Sequence, residues 1–349
     1  MINVAVTGLN AADSPAPGVP VIRCLREHPN WNGRVIALAY DALESGVLDR
    51  SVVDSVYLIP YPKAGKTALL ERLVAIHQRE QIDVIIPNLD AELLNFIALE
   101  PELSKLGIRL FVPNEEQFKA RIKANLPRFS EQNGIRTPQT SLVTNPSKLN
   151  ISERDLPIVV KGLFYEAHVA HTVQEAFNLV HKIAATWGYP VLLQKFIDGE
   201  EYNAAAVGDG TGRMVGIACM KKLVFTEKRK GWACVSIENG SLFEFSKKIV
   251  QALKWRGAIE IEAIYSKSED TFHIIELNPR FPAWIYLAKA SGANLPYTYL
   301  QLALGEPISE IQRSRAGVVF SNYTTNLVTD LSSIGSLFTS GEVHYEKAV

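Results

Sequence analysis

The chain has 349 residues, enough for about two domains of average size. Hydrophobic residues make up 47% and charged residues 21% of the sequence, which excludes a disordered or fibrous chain. The 36 Lys and Arg residues are balanced by 37 Asp and Glu residues. This balance argues against bulk nucleic-acid binding and against a polybasic membrane patch.

The cysteine content and the N-terminus bear on the compartment. Cys24, Cys219 and Cys234 form no Cys-x-x-Cys pair, so the sequence predicts neither a disulfide framework nor a metal cage. The N-terminus lacks a basic segment followed by a long apolar run, and no apolar stretch approaches the ~20 residues that span a bilayer. We therefore expect a cytoplasmic protein with no membrane partner.

Short apolar runs in the first third of the chain predict buried strands. They lie at 3–8, 35–39, 84–87 and 110–113, and a helix-like segment with apolar residues at helical spacing lies at 66–81. Short apolar strands that alternate with helices indicate a parallel sheet covered by helices on both faces. We predict an α/β domain over residues 1–112.

Strands predominate after Pro113. A helix predicted at 115–133 ends at the run GIRTP, and a strand candidate near the C-terminus, 317–323, precedes polar, loop-rich sequence. Few helices among many strands indicate a mostly antiparallel sheet and α+β architecture. We predict a second domain at 113–310 and a C-terminal strand and tail at 311–349. The other predicted strands are 157–161, 191–197, 202–207, 214–220, 258–265 and 271–277.

The run IIELNPR at 274–280 carries the strongest chemical signal. In a strand Glu276 and Asn278 point to the same face, where a carboxylate and an amide oxygen can share one hard cation such as Mg²⁺. Glu262 ends the preceding strand candidate, and a hairpin would bring it beside Glu276. Arg280 follows, where its planar fork can hold phosphate or carboxylate.

Two lysines and one extended segment suggest nucleotide binding. Lys161 closes a predicted strand and Lys123 lies in the helix before it, so both could neutralise a polyphosphate in one cleft. The segment QKFI at 194–197 has free backbone groups that can read an adenine edge. A carboxylate in the run GEEY at 199–202 can accept hydrogen bonds from ribose hydroxyls.

In this order the motifs resemble the ATP-grasp superfamily, in particular its carbamoyl-phosphate-synthetase large-chain and biotin-carboxylase branch. The resemblance covers nearly the whole chain. It implies a Rossmann-like N-terminal domain followed by an ATP-grasp domain, with a small lid subdomain at about 127–193 and a larger antiparallel-sheet subdomain. Its motifs are IIPNLDAE (85–92), GIRTP (134–138), VVK (159–161), ELNPRFP (276–282) and SGANLP (291–296).

The resemblance also implies ligands and residue roles. It implies ATP, and Mg²⁺ or Mn²⁺ held by Glu262, Glu276 and Asn278. Lys161 and Arg280 would act in catalysis, with Arg280 facing the transferred phosphoryl group or the acyl phosphate. Lys123 and Lys161 would contact the phosphates. The adenosine moiety would be bound by Gln194, Lys195, Phe196, Ile197 and Glu201.

The segment after Lys161 departs from the family pattern. Where relatives usually carry a glycine-rich loop, this chain has GLFYEAHVAH at 162–171, with one glycine. We expect Tyr165, His168 and His171 to belong to a mobile lid over the phosphates or the substrate. Without a third ligand nearby, the two histidines are not expected to form a zinc site.

Two other motifs carry weaker signals. The run AGKT at 64–67 resembles the end of a P-loop, but Pro60 replaces the first glycine, so the run is expected to open a helix. Lys221, Lys222 and the basic run 228–230 are either a solvated loop or a contact for phosphate or a substrate carboxylate.

The resemblance implies an ATP-dependent ligase. A small carboxylate would attack the γ-phosphate of MgATP to give an acyl phosphate, and an amine or similar nucleophile would then displace phosphate. A homodimer is expected from the family, and no nucleic-acid partner is expected. Two alternatives stay open: an enzyme that phosphorylates carbamate or bicarbonate, and a nucleotide-binding regulatory subunit with little catalysis.

Overall fold

The computed structural model describes residues 1–10, 15–163, 166–226, 231–323 and 326–345. The chain forms two compact units. The first consists of Met1–Phe118, Asn203–Ile261 and Asn278–Val349, and the second of Lys119–Tyr202 and Glu262–Leu277. Each unit is therefore assembled from separate stretches of sequence, and the predicted domain boundaries stay predictions.

The secondary structure is mixed in both units. The strands are β1 Ile2–Val6, β2 Gly33–Ala39, β3 Ser55–Leu58, β4 Val84–Ile86, β5 Thr140–Val143, β6 Ile158–Gly162, β7 Ala167–Ala170, β8 Val191–Lys195, β9 Glu200–Asp209, β10 Met214–Phe225, β11 Gly231–Ile237, β12 Arg256–Ser266, β13 Thr271–Asn278, β14 Gln312–Arg313, β15 Val319–Ser321 and β16 Glu342–His344. The helices are α1 Gly18–Arg26, α2 Gly65–Glu80, α3 Asp90–Lys105, α4 Glu115–Ala120, α5 Leu126–Asn133, α6 Val173–Trp187, α7 Gly240–Leu253, α8 Ile285–Ala290, α9 Leu295–Leu304 and α10 Leu331–Ser340.

A mostly parallel sheet with strand order β16-β3-β2-β1-β4 lies in the first unit. Strands β1 to β4 pair in parallel, and β16 adds to β3 antiparallel. Successive side chains of a strand face opposite sides, so both faces of β1 are apolar. Val4 and Val6 pack into a core that includes α1, whereas Ala5 packs into a core with α2 and α3. Helices therefore cover both faces, as the apolar runs predict.

A buried carboxylate, that of Glu92, lies at the carboxyl ends of these parallel strands. Glu92, in the first turn of α3, is completely buried and accepts hydrogen bonds from the Thr7 hydroxyl (2.5 Å) and the Tyr40 phenol. The backbone N–H groups of Asn88 (2.8 Å) and Leu89 (2.9 Å) donate to it as well. It therefore caps the helix, since the first N–H groups of a helix have no partner within the helix.

The other two sheets differ in size. One has the strand order β13-β12-β9-β10-β11-β15, with β14 paired to β10. The other, in the second unit, is antiparallel with order β5-β8-β6-β7. Helix α6 covers this smaller sheet with Ala176, Val180 and Ile183, and the Thr172 side chain caps the helix by accepting from the N–H of Glu175.

The prediction of a strand at 110–113 is wrong. Arg109, directly before this run, forms an isolated bridge with Val84. The Arg256 guanidinium donates to the carbonyls of Leu110 (2.9 Å) and Val112 (3.0 Å), so a side chain takes the place of a neighbouring strand.

The predicted helix at 115–133 is two helices, α4 and α5. Pro127 lies in the first turn of α5, where its missing N–H does no harm, and it could not continue a helix from before it. The sequence also missed β3, and it missed α10 and β16 in the C-terminal tail. The predicted helix opening at the run AGKT is confirmed, since α2 begins at Gly65.

Candidate functional site

Lys161 lies in a cleft of the second unit. It is the fourth residue of β6, between Ala167 of β7 and Leu192 of β8, and only 9% of it is exposed. The cleft is lined by Lys123, Lys161 and Gln194 among other residues. Three residues predicted to bind ATP therefore lie around one space.

The charge of Lys161 is incompletely neutralised. Among the described residues, no carboxylate lies within ion-pair distance of its ammonium, whereas the Lys123 ammonium lies 3.1 Å from a Glu276 carboxylate oxygen. Burial lowers the pKa of Lys161 to about 8, although Glu276, Glu262 and Glu201 act in the opposite direction. A buried cation without a partner is costly, so this position is prepared for an anion.

The segment predicted to bind adenine continues from β8. The buried Gln194 side chain donates to the Thr140 hydroxyl (2.9 Å), and the N–H of Lys195 donates to the Gln139 carbonyl (2.8 Å). After Lys195 the chain leaves the strand, and Phe196 and Ile197 lie in irregular backbone. Glu201, predicted to bind ribose, follows in β9 and is half-buried.

The residues predicted to hold a metal lie on β12 and β13. Glu262 and Glu276 are half-buried, and Asn278 is buried. The Asn278 amide donates to the Glu260 carboxylate (3.1 Å). No group of three or more His, Cys, Asp or Glu side chains suited to a metal is present in the described part of the chain. The predicted set contains two carboxylates and one amide, and all are oxygen donors of the kind that Mg²⁺ prefers.

Arg280 is held by acidic groups of the first unit. Its Nε donates to an Asp90 carboxylate oxygen (2.9 Å), and its Nη1 donates to the Phe281 carbonyl (3.1 Å). The same Nη1 lies 3.5 Å from Glu260. Sequence reasoning missed Glu260, although it lies two residues before Glu262 in the run Glu-Ile-Glu, and this spacing puts both side chains on one face of β12.

The segment predicted to form a lid, 162–171, is described only in part, because Phe164 and Tyr165 lie outside the described residues. Glu166 has a positive φ of 68° and accepts hydrogen bonds from the Trp187 indole N–H (3.0 Å) and, at 3.2 Å, from His168. These hydrogen bonds lower the pKa of Glu166. The backbone N–H of His171 donates to the Glu175 carboxylate (2.9 Å). His168 and His171 thus contact different acidic side chains.

Three further features bear on the sequence predictions. Lys221 and Lys222 are half-buried in β10, and the basic run 228–230 lies outside the described residues. Trp284 is buried in the core of the first unit, and its indole donates to Glu260 (2.8 Å). None of the described helices is both long and apolar enough to cross a bilayer.

The sequence matches a family model described as "ATP-grasp in the biosynthetic pathway with Ter operon" over residues 189–326. It is 30% identical over 152 residues to the carbamoyl phosphate synthase large chain of Caldanaerobacter subterraneus subsp. tengcongensis. This alignment covers 40% of this chain and 14% of the relative. It is 22% identical over 347 residues to the large chain of Pyrococcus furiosus, 91% of this chain and 31% of the relative. The chain thus spans less than a third of either relative.

Solved structures share the fold. Biotin carboxylase from Campylobacter jejuni, in a β-γ-ATP complex, matches with a TM-score of 0.68 at 15% identity, over 89% of this chain and 72% of that chain. The L-amino acid ligase from Bacillus licheniformis matches with a TM-score of 0.66 at 17% identity, over 87% and 74%. The chain therefore has a mixed α/β ATP-grasp fold, and the predicted resemblance to this superfamily is confirmed.

Proposed function

We propose that this chain, which resembles ATP-grasp ligases in sequence and fold, is an ADP-forming ligase that joins a small carboxylate to an amine or similar nucleophile. The observation that carries the proposal is Lys161, a buried ammonium with a depressed pKa in a cleft shared with Lys123 and Gln194. A nucleotide polyphosphate supplies the anion that this cleft lacks. The family match and the fold support ATP as the source of that anion.

The proposed reaction needs little covalent chemistry from the protein. The substrate carboxylate attacks the γ-phosphate of ATP, giving an acyl phosphate and ADP, and the nucleophile then displaces phosphate to form a C–N bond. Lys161 is already in place to stabilise charge on the transferring group, and Lys123 joins it once the nucleotide is bound. Arg280 has the planar fork to bind the substrate carboxylate or the acyl phosphate, in competition with Asp90.

Glu262, Glu276 and Asn278 are the residues that would hold Mg²⁺ or Mn²⁺. The cation would neutralise the phosphate oxygens when it is bound. The donor set fits, since all three side chains can offer oxygen. Glu276 is already charge-compensated by Lys123, so we expect Lys123 to turn from this carboxylate to the phosphates when the nucleotide binds.

The adenosine moiety is assigned to the segment from Gln194 to Ile197, with Glu201 at the ribose. We further propose that the parallel sheet of the first unit forms the Rossmann-like N-terminal domain. We also propose that the chain assembles as a homodimer. The buried free thiols of all three cysteines fit a reducing compartment such as the cytoplasm. Light scattering of the purified chain would test the homodimer.

An ADP-release assay tests the reaction. Purified protein is screened with MgATP against pairs of small carboxylates and amines, with amino acids in both roles, and with bicarbonate and carbamate as separate acceptors. ADP release that needs both a carboxylate and an amine supports the ligase. Release with bicarbonate or carbamate alone would instead identify the phosphorylating alternative.

Calorimetry with a non-hydrolysable ATP analogue and Mg²⁺ separates binding from turnover. Saturable binding without ADP release for any pair would favour the regulatory subunit. Absence of binding by well-folded protein would contradict the ligase, the phosphorylating enzyme and the regulatory subunit alike, because all three need a bound nucleotide.

A further inference from the structure

Glu260 is the centre of a buried polar cluster in the first unit. Glu260 is 6% exposed, and four nitrogen atoms converge on its two oxygens. The Trp284 indole (2.8 Å) and the Asn203 amide (3.3 Å) donate to Oε1. The Asn278 amide donates to Oε2 (3.1 Å), and the Arg280 Nη1 lies 3.5 Å from the same oxygen. An ionised carboxylate accepts about four such contacts, so its capacity is filled.

This cluster decides how the Asn278 amide is oriented. An ionised carboxylate can only accept hydrogen bonds, so it must face the NH₂ arm of the amide and not the carbonyl arm. The two arms diverge from one carbon, and the Asn278 carbonyl oxygen is therefore directed away from Glu260. Only that oxygen can ligate a hard cation, because an amide NH₂ group has no lone pair to offer.

We propose that Glu260 is a positioning residue that fixes the Asn278 amide with its oxygen presented to the divalent cation and sets the cation affinity in this way. The inference rests on the proposed function, because it needs Asn278 as a cation ligand. Glu260 also anchors the Arg280 guanidinium, so one buried carboxylate orients a metal ligand and a substrate-binding cation. Outer-layer partners of this kind commonly change metal affinity 10- to 100-fold.

The charge of Glu260 matters, and not only its shape. In Glu260→Gln one arm of the new side chain is a donor, so it cannot accept from all four surrounding nitrogens. Whichever way the new amide turns, a donor meets a donor on one side. Asn278 relieves the conflict by flipping its amide, and the flip turns its NH₂ group toward the cation.

The test measures Mn²⁺ binding by electron paramagnetic resonance, with a non-hydrolysable ATP analogue present. We expect Glu260→Gln to weaken Mn²⁺ binding roughly 10- to 100-fold, and binding of the analogue without metal to stay unchanged. Glu80→Gln is the matched control. Glu80 is 4% exposed in the same unit and interacts with Tyr57 and Arg34, and its substitution should leave Mn²⁺ affinity as it is in the wild type.

A charge-neutral exchange tests whether Glu260 acts through Asn278. In Glu260→Gln combined with Asn278→Asp, the residue at 278 has no nitrogen to misplace and can accept from the new amide. Mn²⁺ affinity should recover toward the wild-type value. A carboxylate at 278 binds the cation more strongly than an amide by itself, so Asn278→Asp alone is measured as well. The recovery should exceed the sum of the two single effects, whereas a merely structural role of Glu260 would leave those effects additive.

The outcomes separate this inference from the proposed function. Wild-type Mn²⁺ affinity in folded Glu260→Gln would overturn the role of Glu260, and so would a double variant as weak as the single one. If Glu260→Gln fails to fold, Glu260→Asp and the double variant decide in its place. Both are expected to bind Mn²⁺ detectably, and failure of both would overturn the inference. If the wild-type protein binds neither the analogue nor Mn²⁺, the proposed function itself is wrong.

Discussion

Two buried ionisable groups of this chain differ in whether other residues of the chain satisfy them. Glu92, at the carboxyl ends of the parallel strands in the first unit, accepts four hydrogen bonds from its own chain. Lys161, in the small sheet of the second unit, has no carboxylate within ion-pair distance among the described residues. An ionisable group whose hydrogen bonds are complete is part of the architecture. One that is left incomplete indicates a ligand.

The energetic scale supports this distinction. Burial lowers the pKa of Lys161 from its ordinary value of 10.5 to about 8. At 1.36 kcal/mol for each pKa unit, the charged form of Lys161 costs roughly 3 kcal/mol relative to an exposed lysine. A bound polyphosphate would recover that free energy, so what the ligand-free protein loses in folding stability is regained when the nucleotide binds.

The largest expected effect is that of Lys161→Met, which keeps the length of the side chain and removes its charge. Affinity for a non-hydrolysable ATP analogue and the rate of ADP release should both fall, the rate by about 10²–10³-fold, because one preorganised charge on the transferring group is lost. The free energy of unfolding should rise or stay unchanged, since an unpaired buried charge disappears. Calorimetry and urea unfolding measure the two effects.

Lys182→Met is the control for this variant. Lys182 lies exposed on α6 of the same unit, so its loss should affect neither nucleotide binding nor stability. A Lys161→Met protein that binds the analogue normally, or that unfolds several kcal/mol more easily, would remove the contrast with Glu92.

The pH dependence of binding gives the second effect. Above pH 8 Lys161 loses its proton in the free protein, so affinity for the analogue should fall by about tenfold for each pH unit. Below pH 8 this dependence should vanish. Lys161→Met should show no such decline, and calorimetry between pH 7 and 9.5 compares the two proteins.

The same titration acts on stability with the opposite sign. The unfolded lysine keeps its proton up to about pH 10.5, so between pH 8 and 10.5 the unfolded chain binds more protons at this residue. The free energy of unfolding of the wild type should therefore rise with pH in this window, relative to Lys161→Met. A parallel course of the two proteins would mean that Lys161 is solvated or paired.

Sequence reasoning located the lysines of the cleft but missed the buried carboxylate Glu260. Lys123, Lys161 and Gln194 were predicted from their order along the chain, and they line one cleft. Glu260 was missed because its role depends on Asn203 and Trp284, which are remote in sequence. Pairwise partners of this kind leave no periodicity in a single sequence.

The fold shows the same limit. Short apolar runs located β1, β2 and β4, since their burial on both faces makes them continuous in sequence. The C-terminal strand β16 carries no such signal. It is held at the edge of the first sheet by pairing with β3 and by the Arg79–Glu342 ion pair, and these contacts join segments more than 250 residues apart.

Glu92→Gln tests the architectural side of the comparison and should cost about 1–3 kcal/mol of unfolding free energy at pH 7. The neutral amide can keep its oxygen toward Thr7 and the two backbone N–H groups, but it accepts more weakly than a carboxylate, and the Tyr40 hydroxyl must change from donor to acceptor. Affinity for the ATP analogue should stay at its wild-type value. Urea unfolding and calorimetry give the two readings, and a loss of affinity larger than the loss of stability would contradict the assignment.

The pH profile of this variant adds a signed test. Burial raises the pKa of Glu92 from 4.5 to about 6, although its hydrogen bonds oppose the rise. Between pH 4.5 and 6 the folded chain therefore binds more protons here than the unfolded chain, and stability from this residue falls as the pH rises through the window. Glu92→Gln should remove that slope, and unfolding at pH 4.5, 5.5 and 6.5 would detect it.

The smallest effect concerns Glu166, which lies between the two extremes. It is partly exposed, it is hydrogen-bonded to Trp187 and His168, and its backbone has a positive φ of 68°. A side chain in the left-handed region costs roughly 1–2 kcal/mol, whereas glycine adopts it freely. Glu166→Ala keeps this strain and loses both hydrogen bonds, so it should be destabilised by about 1 kcal/mol. Glu166→Gly loses the same bonds but relieves the strain, so it should be nearly as stable as the wild type.

Urea unfolding followed by tryptophan fluorescence compares the two variants. Equal destabilisation by both would mean that the hydrogen bonds to Trp187 and His168, and not the backbone, determine what this position contributes to stability.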